Sequence, residues 1–385
     1  MNLFGRLRNI NKTKNYYFLG LYVPTFGYIN AIIDKNVLKY SLNIGDLLYF
    51  DYEYIKNNEG KDIIRIINIT EIVKNNIGTF KESSRNNANL NNFINSFNGN
   101  NQLKVYNIYV KTLKYLRDYF NDNHFQEVTG NVLEMVPTSS FVPYFETQSN
   151  NSPNHYYLRI TTENSLKQTT MMTLKSSYSL GPVFYDKKGK MGEQQQVITL
   201  EFVSIDWNHE TFIDFIRNYI NTIVQFANDE HLNIQKLKDP LVLDYNYVTK
   251  KIPDFGPHHI QNTDITENLI VLNVPNNSPF IREIDGNKTE TQWYLHGKMV
   301  AHAYNDENDY KKIKAAVDLQ AIKQDKIFYN TMSYFQYGLP FTYSGGLGIE
   351  KSMQHILGLN NMISMQNPLG NDACENELIR KRRKK

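Results

Sequence analysis

Several features are scarce in this chain, and each scarcity excludes a class of protein. The single cysteine, Cys374, excludes an internal disulfide and every site built from several thiolates. No run of about 18 apolar residues is present, as a membrane-spanning helix would need. Residues 1–14 are basic but lack the apolar core of a secretion signal. The sequence therefore predicts a cytoplasmic protein without membrane contact or redox chemistry.

An excess of charge is also lacking. The chain has 42 Lys and Arg against 39 Asp and Glu, a net charge of +3, and residues 381–385 are all basic. The rest of the chain is near neutral, which excludes a strong whole-surface attraction to nucleic acid. The basic tail, residues 371–385, is interpreted either as disordered or as an arm that contacts nucleic acid. At 385 residues with 41% hydrophobic residues, the chain is long enough for two or three folded domains.

The first part of the chain reads as an all-β domain. Short runs rich in β-branched and aromatic residues occupy 16–23, 28–33, 47–54 and 63–69, with turn-forming residues between them. We expect a small OB-like β-barrel over residues 1–80. Residues 81–102 are rich in Asn, Ser and Gly and predict a polar linker. Phe26 and Tyr28 could stack on bases, although aromatic residues of such strands more often belong to the core.

From Val105 the pattern becomes helical, with an apolar face that runs to Phe120. Further helices are predicted over 165–175, 211–227, 310–323 and 349–357, and strands over 156–160, 197–205, 269–274 and 292–302. Helices and strands in this irregular order favour an α+β domain around an antiparallel sheet. We place this domain at residues 103–370.

Three stretches carry the chemistry. Residues 344–351, Ser-Gly-Gly-Leu-Gly-Ile-Glu-Lys, put a glycine-rich strand before a helix, where backbone and helix N–H groups can approach an anion. Residues 178–184 lead into a charged loop at 186–193 and return as 199–206, Thr-Leu-Glu-Phe-Val-Ser-Ile-Asp. Residues 161–168 read Thr-Thr-Glu-Asn-Ser-Leu-Lys-Gln.

In their order and spacing, these pieces and residues 125–128 resemble the class II aminoacyl-tRNA synthetases, within them the aspartyl, asparaginyl and lysyl subgroup. The resemblance implies a class II catalytic domain whose antiparallel sheet is flanked by helices, preceded by an anticodon-binding OB barrel. It also implies an amino acid and ATP as ligands, a homodimer built on the helix at 105–120, and tRNA or another RNA as a partner. Mg²⁺ is implied as well, without an assigned ligand.

The chain departs from the motifs of that family at several positions. Tyr185 replaces the second-motif arginine, and Lys187 replaces the acidic residue after it. Lys351 replaces the third-motif arginine, and Lys298 or Met299 stands near the place of a metal-binding glutamate. Asn131 takes the place of the first-motif proline. Because arginine offers a bidentate fork that lysine cannot copy, the chain is interpreted as a divergent paralogue.

The resemblance also assigns residues to a site. Asn164 and Lys167 are predicted to bind an Asp- or Asn-like amino acid, with Phe202 stacking on the adenine. Lys187, Lys298 and Lys351, with Lys188 nearby, would supply the charge that the lost arginines provide. The predicted nucleotide-binding residues are Glu201, Phe202, Gly346, Gly348, Glu350 and Lys351. The alternative for Lys167 is a solvated surface lysine.

Three functions compete at this stage. The first is an ATP-dependent ligase that activates an Asp- or Asn-like amino acid for an acceptor other than, or in addition to, tRNA. The second is a catalytically inactive module for ligand sensing, dimerisation or RNA binding, and the third is a genuine Asp- or Asn-tRNA ligase. Metal binding by histidines 258, 259, 296 or 302 is disfavoured, because no carboxylate cluster accompanies them at ligand spacing.

Overall fold

The computed structural model describes residues 2–56, 60, 62–75, 101–135, 143–151, 153–186, 195–235, 237–252, 255, 267–319, 333–360 and 365. Most of the predicted linker and the whole basic tail lie outside these residues. The chain divides into two compact units, residues 1–106 with 363–385, and residues 107–362. The domain boundaries at 80, 102 and 370 stay predictions. Among the helices of the described residues, none is long and apolar enough to cross a bilayer.

The first unit contains a closed five-stranded barrel in which the strand order is β1-β2-β3-β5-β4. Its neighbours pair antiparallel except β3 and β5, which are parallel. Leu7, Leu21, Ile33, Phe50 and Ile66 fill the interior and are fully buried. This confirms the expected OB-like barrel. The strands are β1 (Asn2–Lys12), β2 (Tyr16–Val23), β3 (Gly27–Asp34), β4 (Leu47–Lys56) and β5 (Asp62–Val73).

The second unit is built on a nine-stranded sheet, ordered β12-β13-β15-β16-β17-β11-β10-β6, with β14 paired to β15. Only the pairs β12–β13 and β10–β6 are parallel. A separate three-stranded sheet has the order β7-β9-β8. The strands are β6 (Gln126–Glu127), β7 (Leu133–Glu134), β8 (Glu146–Gln148), β9 (His155–Leu158), β10 (Ser177–Phe184), β11 (Gln196–Ser204), β12 (Leu241–Asp244), β13 (Asn268–Pro275), β14 (Glu283–Ile284), β15 (Asn287–Leu295), β16 (Lys298–Asn305) and β17 (Tyr343–Gly348).

Helices flank this sheet, so the predicted α+β class is confirmed. Their bounds are α1 (Gln102–Asp122), α2 (Glu163–Thr173), α3 (His209–Asp229), α4 (Tyr245–Lys251), α5 (Tyr310–Leu319) and α6 (Ile349–Ile356), with a 3₁₀ helix at Ser333–Tyr337. Helix α3 begins where the side chain of Asn208 accepts hydrogen bonds from the N–H groups of Glu210 and Thr211, at 3.0 Å each. This capping satisfies two of the unpaired donors of the first turn.

One predicted strand is two strands. The sequence predicts one strand over 292–302, but this segment breaks at His296 and Gly297, which form the two-residue loop between β15 and β16. Both residues have positive φ, 46° and 74°, as the tight turns that suit the twist of a hairpin require. Because the strand residues on both sides of this turn are mostly buried, the hydrophobicity pattern does not reveal the turn.

An aromatic core covers the face of the sheet that we call the back face. The ring of Phe202 lies 6.0 Å from Phe120 of α1 and 4.9 Å from Trp207, between centroids. Phe212 of α3 lies at 6.0 Å from Phe202. Farther along the same helix, Tyr219 meets Trp293 of β15 edge to face at 6.2 Å. Burial of these large rings anchors α1 and α3 to the sheet.

The two central glycines of β17 meet different surroundings. A Cβ on Gly345 would stand 2.7 Å from the Cβ of Ala303 and 2.8 Å from the ring of Phe202, on the packed back face. A Cβ on Gly346 would have no neighbour nearer than 3.8 Å. Only the first glycine is therefore required by packing.

We expect Gly345→Ala to lower the free energy of unfolding by about 1–3 kcal/mol, because the added methyl group overpacks the core. Gly346→Ala is the matched control and should change it by less than about 0.5 kcal/mol. Urea denaturation of the two variants gives both values. Equal losses in the two variants would contradict this account.

Candidate active site

A cavity of about 60 Å³ opens on the front face of the sheet, the face opposite the aromatic core. Strands β11, β16 and β17 form its floor, and the start of α2 forms one wall. Its lining residues are Thr161, Glu163, Leu166, Glu201, Phe202, His302, Tyr304, Ser344, Gly345 and Gly346.

Strand register brings the polar residues of this floor together. Glu201 of β11 pairs with Gly346 of β17, and Gly346 pairs with His302 of β16. Residues directly opposite in adjacent strands point to the same face. The three positions therefore form a row across the sheet, and the lack of a side chain on Gly346 leaves open space between a carboxylate and an imidazole.

Glu201 also fixes the start of α2. Its Oε2 accepts hydrogen bonds from the hydroxyl of Thr161 at 2.8 Å, and from the hydroxyl and N–H of Thr162 at 2.7 and 2.5 Å. Burial raises the pKa of Glu201 above its usual value, although these hydrogen bonds oppose the shift. Burial and the nearby negative charge of Glu201 together raise the pKa of Tyr185 to about 12.

His302 is paired with Glu290 of β15, with 3.1 Å between Nδ1 and Oε2. Burial alone would lower the pKa of His302, but the hydrogen bond and charge of Glu290 raise it. The same contact lowers the pKa of Glu290 against the effect of burial. The pair therefore favours an imidazolium beside a carboxylate at the cavity.

Lys167 is buried, with 1% of its side chain exposed, so the alternative of a solvated surface lysine is wrong. Its ammonium lies 2.7 Å from Oδ1 of Asp306 and is also paired with Glu163, one helical turn earlier. Burial alone would lower the pKa of Lys167, but the two carboxylates raise it. Tyr304 donates a hydrogen bond of 2.7 Å to Glu163. A ligand carboxylate would have to compete with both internal partners for this lysine.

Asn164 faces a different group from Lys167. The amide oxygen of Asn164 accepts a hydrogen bond of 2.8 Å from the hydroxyl of Tyr334, in the 3₁₀ helix. Asn164 and Lys167 thus share α2, as predicted, but each is held by neighbours of its own, and neither belongs to the described lining of the cavity. Their binding of an amino acid stays a prediction.

The structure changes the interpretation of two predicted nucleotide-binding residues. Phe202 borders the cavity, but its ring is 1% exposed and packs into the aromatic core, which favours a core role over adenine stacking. Glu350 is also 1% exposed; its carboxylate accepts a hydrogen bond from the N–H of Ile198, at 2.9 Å, and another from the hydroxyl of Tyr109, at 3.3 Å. Strand alternation turns most of the Phe202 ring into the core, and helix packing turns the Glu350 carboxylate away from the cavity.

The predicted lysines do not all meet. Lys187 lies outside the described residues, as does Lys188. Burial lowers the pKa of His355 in α6 to about 4. The positive charges of His296, Lys351 and Lys298 contribute to this shift. The rings of His296 and His355 are 5.7 Å apart between centroids. A basic cluster therefore forms where the β15–β16 turn meets α6, and Gly348 lies beside Lys351.

Among the described residues, no group of three or more His, Cys, Asp or Glu side chains could hold a metal ion. Histidines 258 and 259 lie outside those residues.

Sequence reasoning missed most of the polar groups that surround the cavity: Glu163, Glu290, His302 as a member of the site, Tyr304 and Asp306. One signal was present. His302, Tyr304 and Asp306 occupy every second position, which in a strand places them on one face.

A family model described as tRNA synthetases class II (D, K and N) matches residues 86–366. The chain belongs to this family. The resemblance seen in the sequence motifs is thereby confirmed.

Relatives of this class II synthetase-like chain are distant. A lysine–tRNA ligase of Listeria monocytogenes is 27% identical over 118 residues, 31% of this chain and 24% of the relative. One from Thermosipho melanesiensis is 23% identical over 301 residues, 65% of this chain and 59% of the relative. The chain thus spans between about a quarter and three fifths of the curated relatives named here.

A solved structure supports the fold. Asparaginyl-tRNA synthetase from Pyrococcus horikoshii, complexed with asparaginyl-adenylate, is 14% identical, with a TM-score of 0.78. The similarity covers 95% of this chain and 94% of that one. The predicted architecture, an OB-like barrel before a class II sheet, is therefore confirmed.

Glu350 gives a pH-dependent test of the geometry behind the cavity. Burial raises its pKa to about 7, although its hydrogen bonds oppose the shift. A carboxyl whose pKa is higher in the folded chain than in the unfolded chain favours folding at low pH. That contribution is lost as the pH rises from about 4.5 to about 7.

Glu350→Gln should therefore gain stability relative to the native chain as the pH rises from 5 to 8, by about 3 kcal/mol at the most. Denaturation curves of both proteins at each pH give the difference, which cancels the other titrating groups. Glu283→Gln, on the exposed strand β14, is the control and should show no such trend. A flat difference for Glu350→Gln would rule out the buried carboxylate as its source.

Proposed function

We propose that this chain is an ATP-dependent ligase that activates a small amino acid of the Asn or Asp type as its adenylate. Family membership supports the reaction class. The observation that carries the proposal is the row of Glu201, Gly346 and His302, which opens a polar cavity beside a glycine-rich strand. In the reaction, the amino-acid carboxylate attacks the α-phosphorus of ATP and pyrophosphate leaves.

The charges around the cavity support an amino acid that enters by its ammonium group. Four carboxylates lie in or beside the cavity: Glu163, Glu201, Glu290 and Asp306. Three cations oppose them: Lys167, His302 and Arg159, the last of which interacts electrostatically with Glu201. Four negative and three positive charges leave a formal balance of −1. A second carboxylate on the ligand would add repulsion, so we favour an uncharged, Asn-like side chain over an Asp-like one.

The basic cluster supports ATP as the second ligand. Lys298 is the first residue of β16, and Lys351 lies in the first turn of α6, where the family resemblance places the triphosphate. Their ammonium groups would neutralise phosphate charge without the bidentate geometry of arginine. Mg²⁺ would add charge at the same place, but the described residues offer no carboxylate set for it, and no step is assigned to it.

RNA is the acceptor that the barrel supports. Arg6 of β1 pairs with Tyr22 of β2, and Tyr22 pairs with Tyr28 of β3, so that one outer face carries a cation and two aromatic rings. Phe26 and Tyr28 are 48% and 54% exposed. Exposed rings beside arginines suit stacking with unpaired bases. A tRNA and another RNA both fit this surface as the acceptor, and the homodimer predicted from α1 remains part of the proposal.

The test is exchange of labelled pyrophosphate into ATP, with asparagine, aspartate or lysine as the amino acid. We expect asparagine to support exchange. Glu201→Gln should lower its kcat/KM about 10- to 100-fold, because it removes a charge-assisted contact with the ammonium group. Glu283→Gln on β14 is the matched surface control and should leave the rate unchanged.

Lys351→Ala should weaken ATP binding in calorimetry about tenfold and leave asparagine binding nearly unchanged, because it removes a phosphate partner only. Binding of ATP and asparagine without exchange would favour the inactive sensing module instead. Binding of neither at millimolar concentration would contradict the proposed function.

A further inference from the structure

The surroundings of the Lys167 ammonium resemble a ligand site. Two carboxylates contact the ammonium, Asp306 at 2.7 Å and Glu163 one turn back along α2. Three aromatic rings surround it, with centroids 5.3 Å away for Phe280, 5.7 Å for Tyr304 and 5.9 Å for Phe335. Carboxylates combined with aromatic faces are the groups by which proteins recognise alkylammonium ions. We call these five residues the cage.

The cage is held by contacts of its own. The hydroxyl of Thr342 donates a hydrogen bond of 2.7 Å to Asp306, and the hydroxyl of Ser344 donates another. Tyr304 donates to Glu163, and the rings of Phe280 and Phe335 lie 6.0 Å apart. Because these contacts do not involve Lys167, the cage is preorganised for an ammonium whether or not that ammonium belongs to the chain.

Stability does not account for this arrangement. One ammonium between the buried carboxylate of Asp306 and the partly exposed carboxylate of Glu163 leaves a net negative charge, and well-packed apolar residues often replace buried ion pairs without loss. The cage is also continuous with the cavity, because Glu163 and Tyr304 line both. An ammonium that entered through the cavity would meet this cage at the inner end.

We propose that Lys167 is a built-in occupant of an ammonium-binding subsite, and that it closes this subsite to amino acids with a cationic side chain. The subsite is assigned from the cage alone. The effect on substrate choice rests on the proposed function. Lys167 is then a specificity-determining residue: its ammonium fills the place that the side chain of a lysine-like ligand would take, and a short uncharged side chain fits in front of it.

The first test empties the cage. Lys167→Ala removes the atoms of a propylammonium ion and leaves Glu163 and Asp306 in place. Propylammonium at ten times its Kd should raise the Tm of this variant by about 3–6 °C. The native chain, whose cage is full, should not shift, and 1-propanol at the same concentration should shift neither protein. Lys167→Met, which fills the same volume without charge, is the matched control and should not respond.

Unpaired carboxylates can prevent Lys167→Ala from folding, and refolding then gives the readout. We expect the variant to recover native circular dichroism from urea when propylammonium is present, and not when propanol replaces it. Equal recovery in the two additives, or an equal Tm shift in Lys167→Ala and Lys167→Met, would overturn the subsite.

The second test concerns substrate choice. In calorimetry without ATP, L-lysine should bind Lys167→Ala at least tenfold more tightly than it binds the native chain. Equal affinity for the two proteins would overturn the exclusion of cationic side chains. Neither cage experiment uses ATP or measures adenylate formation. A propylammonium response without pyrophosphate exchange would therefore support the subsite and contradict the proposed function. Pyrophosphate exchange without a propylammonium response would support the proposed function and contradict the subsite.

Discussion

The antiparallel register of β11, β17 and β16 is the constraint on which the candidate site depends. Backbone hydrogen bonding sets Glu201, Gly346 and His302 side by side, although they are distant along the chain. The same register places Val203, Ser344 and Tyr304 in the next row. A shift by one residue in any of these strands would exchange the polar front for the aromatic back, since successive side chains point to opposite faces.

Electrostatics inside the second unit follow from that placement. Carboxylates on the front face are each satisfied by a nearby donor: Glu201 by two threonines, Glu290 by His302, and Asp306 by Lys167 and two hydroxyl groups. None of them is a bare buried charge, which would cost several kcal/mol. The negative balance of the site is therefore compatible with a stable fold and leaves the front face attractive to a cation.

The sequence predicted the architecture better than the site. Strand alternation in the barrel and apolar faces in α1 and α3 are local patterns, so β2 was predicted with its observed bounds and α1 and α3 within a few residues. Strand β1 was missed, because Asn and Arg residues dilute its alternation and the segment was interpreted as a basic terminus. Motif order identified the family, since it survives when single residues change.

The site depended on pairings that no local pattern contains. Glu201 and Phe202 are adjacent in a strand, so their side chains point to opposite faces of the sheet. The motif resemblance nevertheless assigned a nucleotide-binding role to both. Lys167 was predicted to bind an amino acid, but its observed partners Asp306 and Phe280 come from segments more than 100 residues away. Long-range packing of this kind is fixed by the fold as a whole and cannot be derived from the spacing of residues along the chain.

The adjacent glycines of β17 have a consequence for how homologous sequences are interpreted. Gly345 is required by the contact of its backbone with Ala303 and Phe202, so an active and an inactive descendant of this fold would both retain it. Conservation there would carry no information about catalysis. Gly346 has room for a side chain, and only a ligand lying between Glu201 and His302 would select against one. Among relatives of this chain, the loss of the second glycine while the first persists would therefore mark the lineages in which the pocket has fallen out of use.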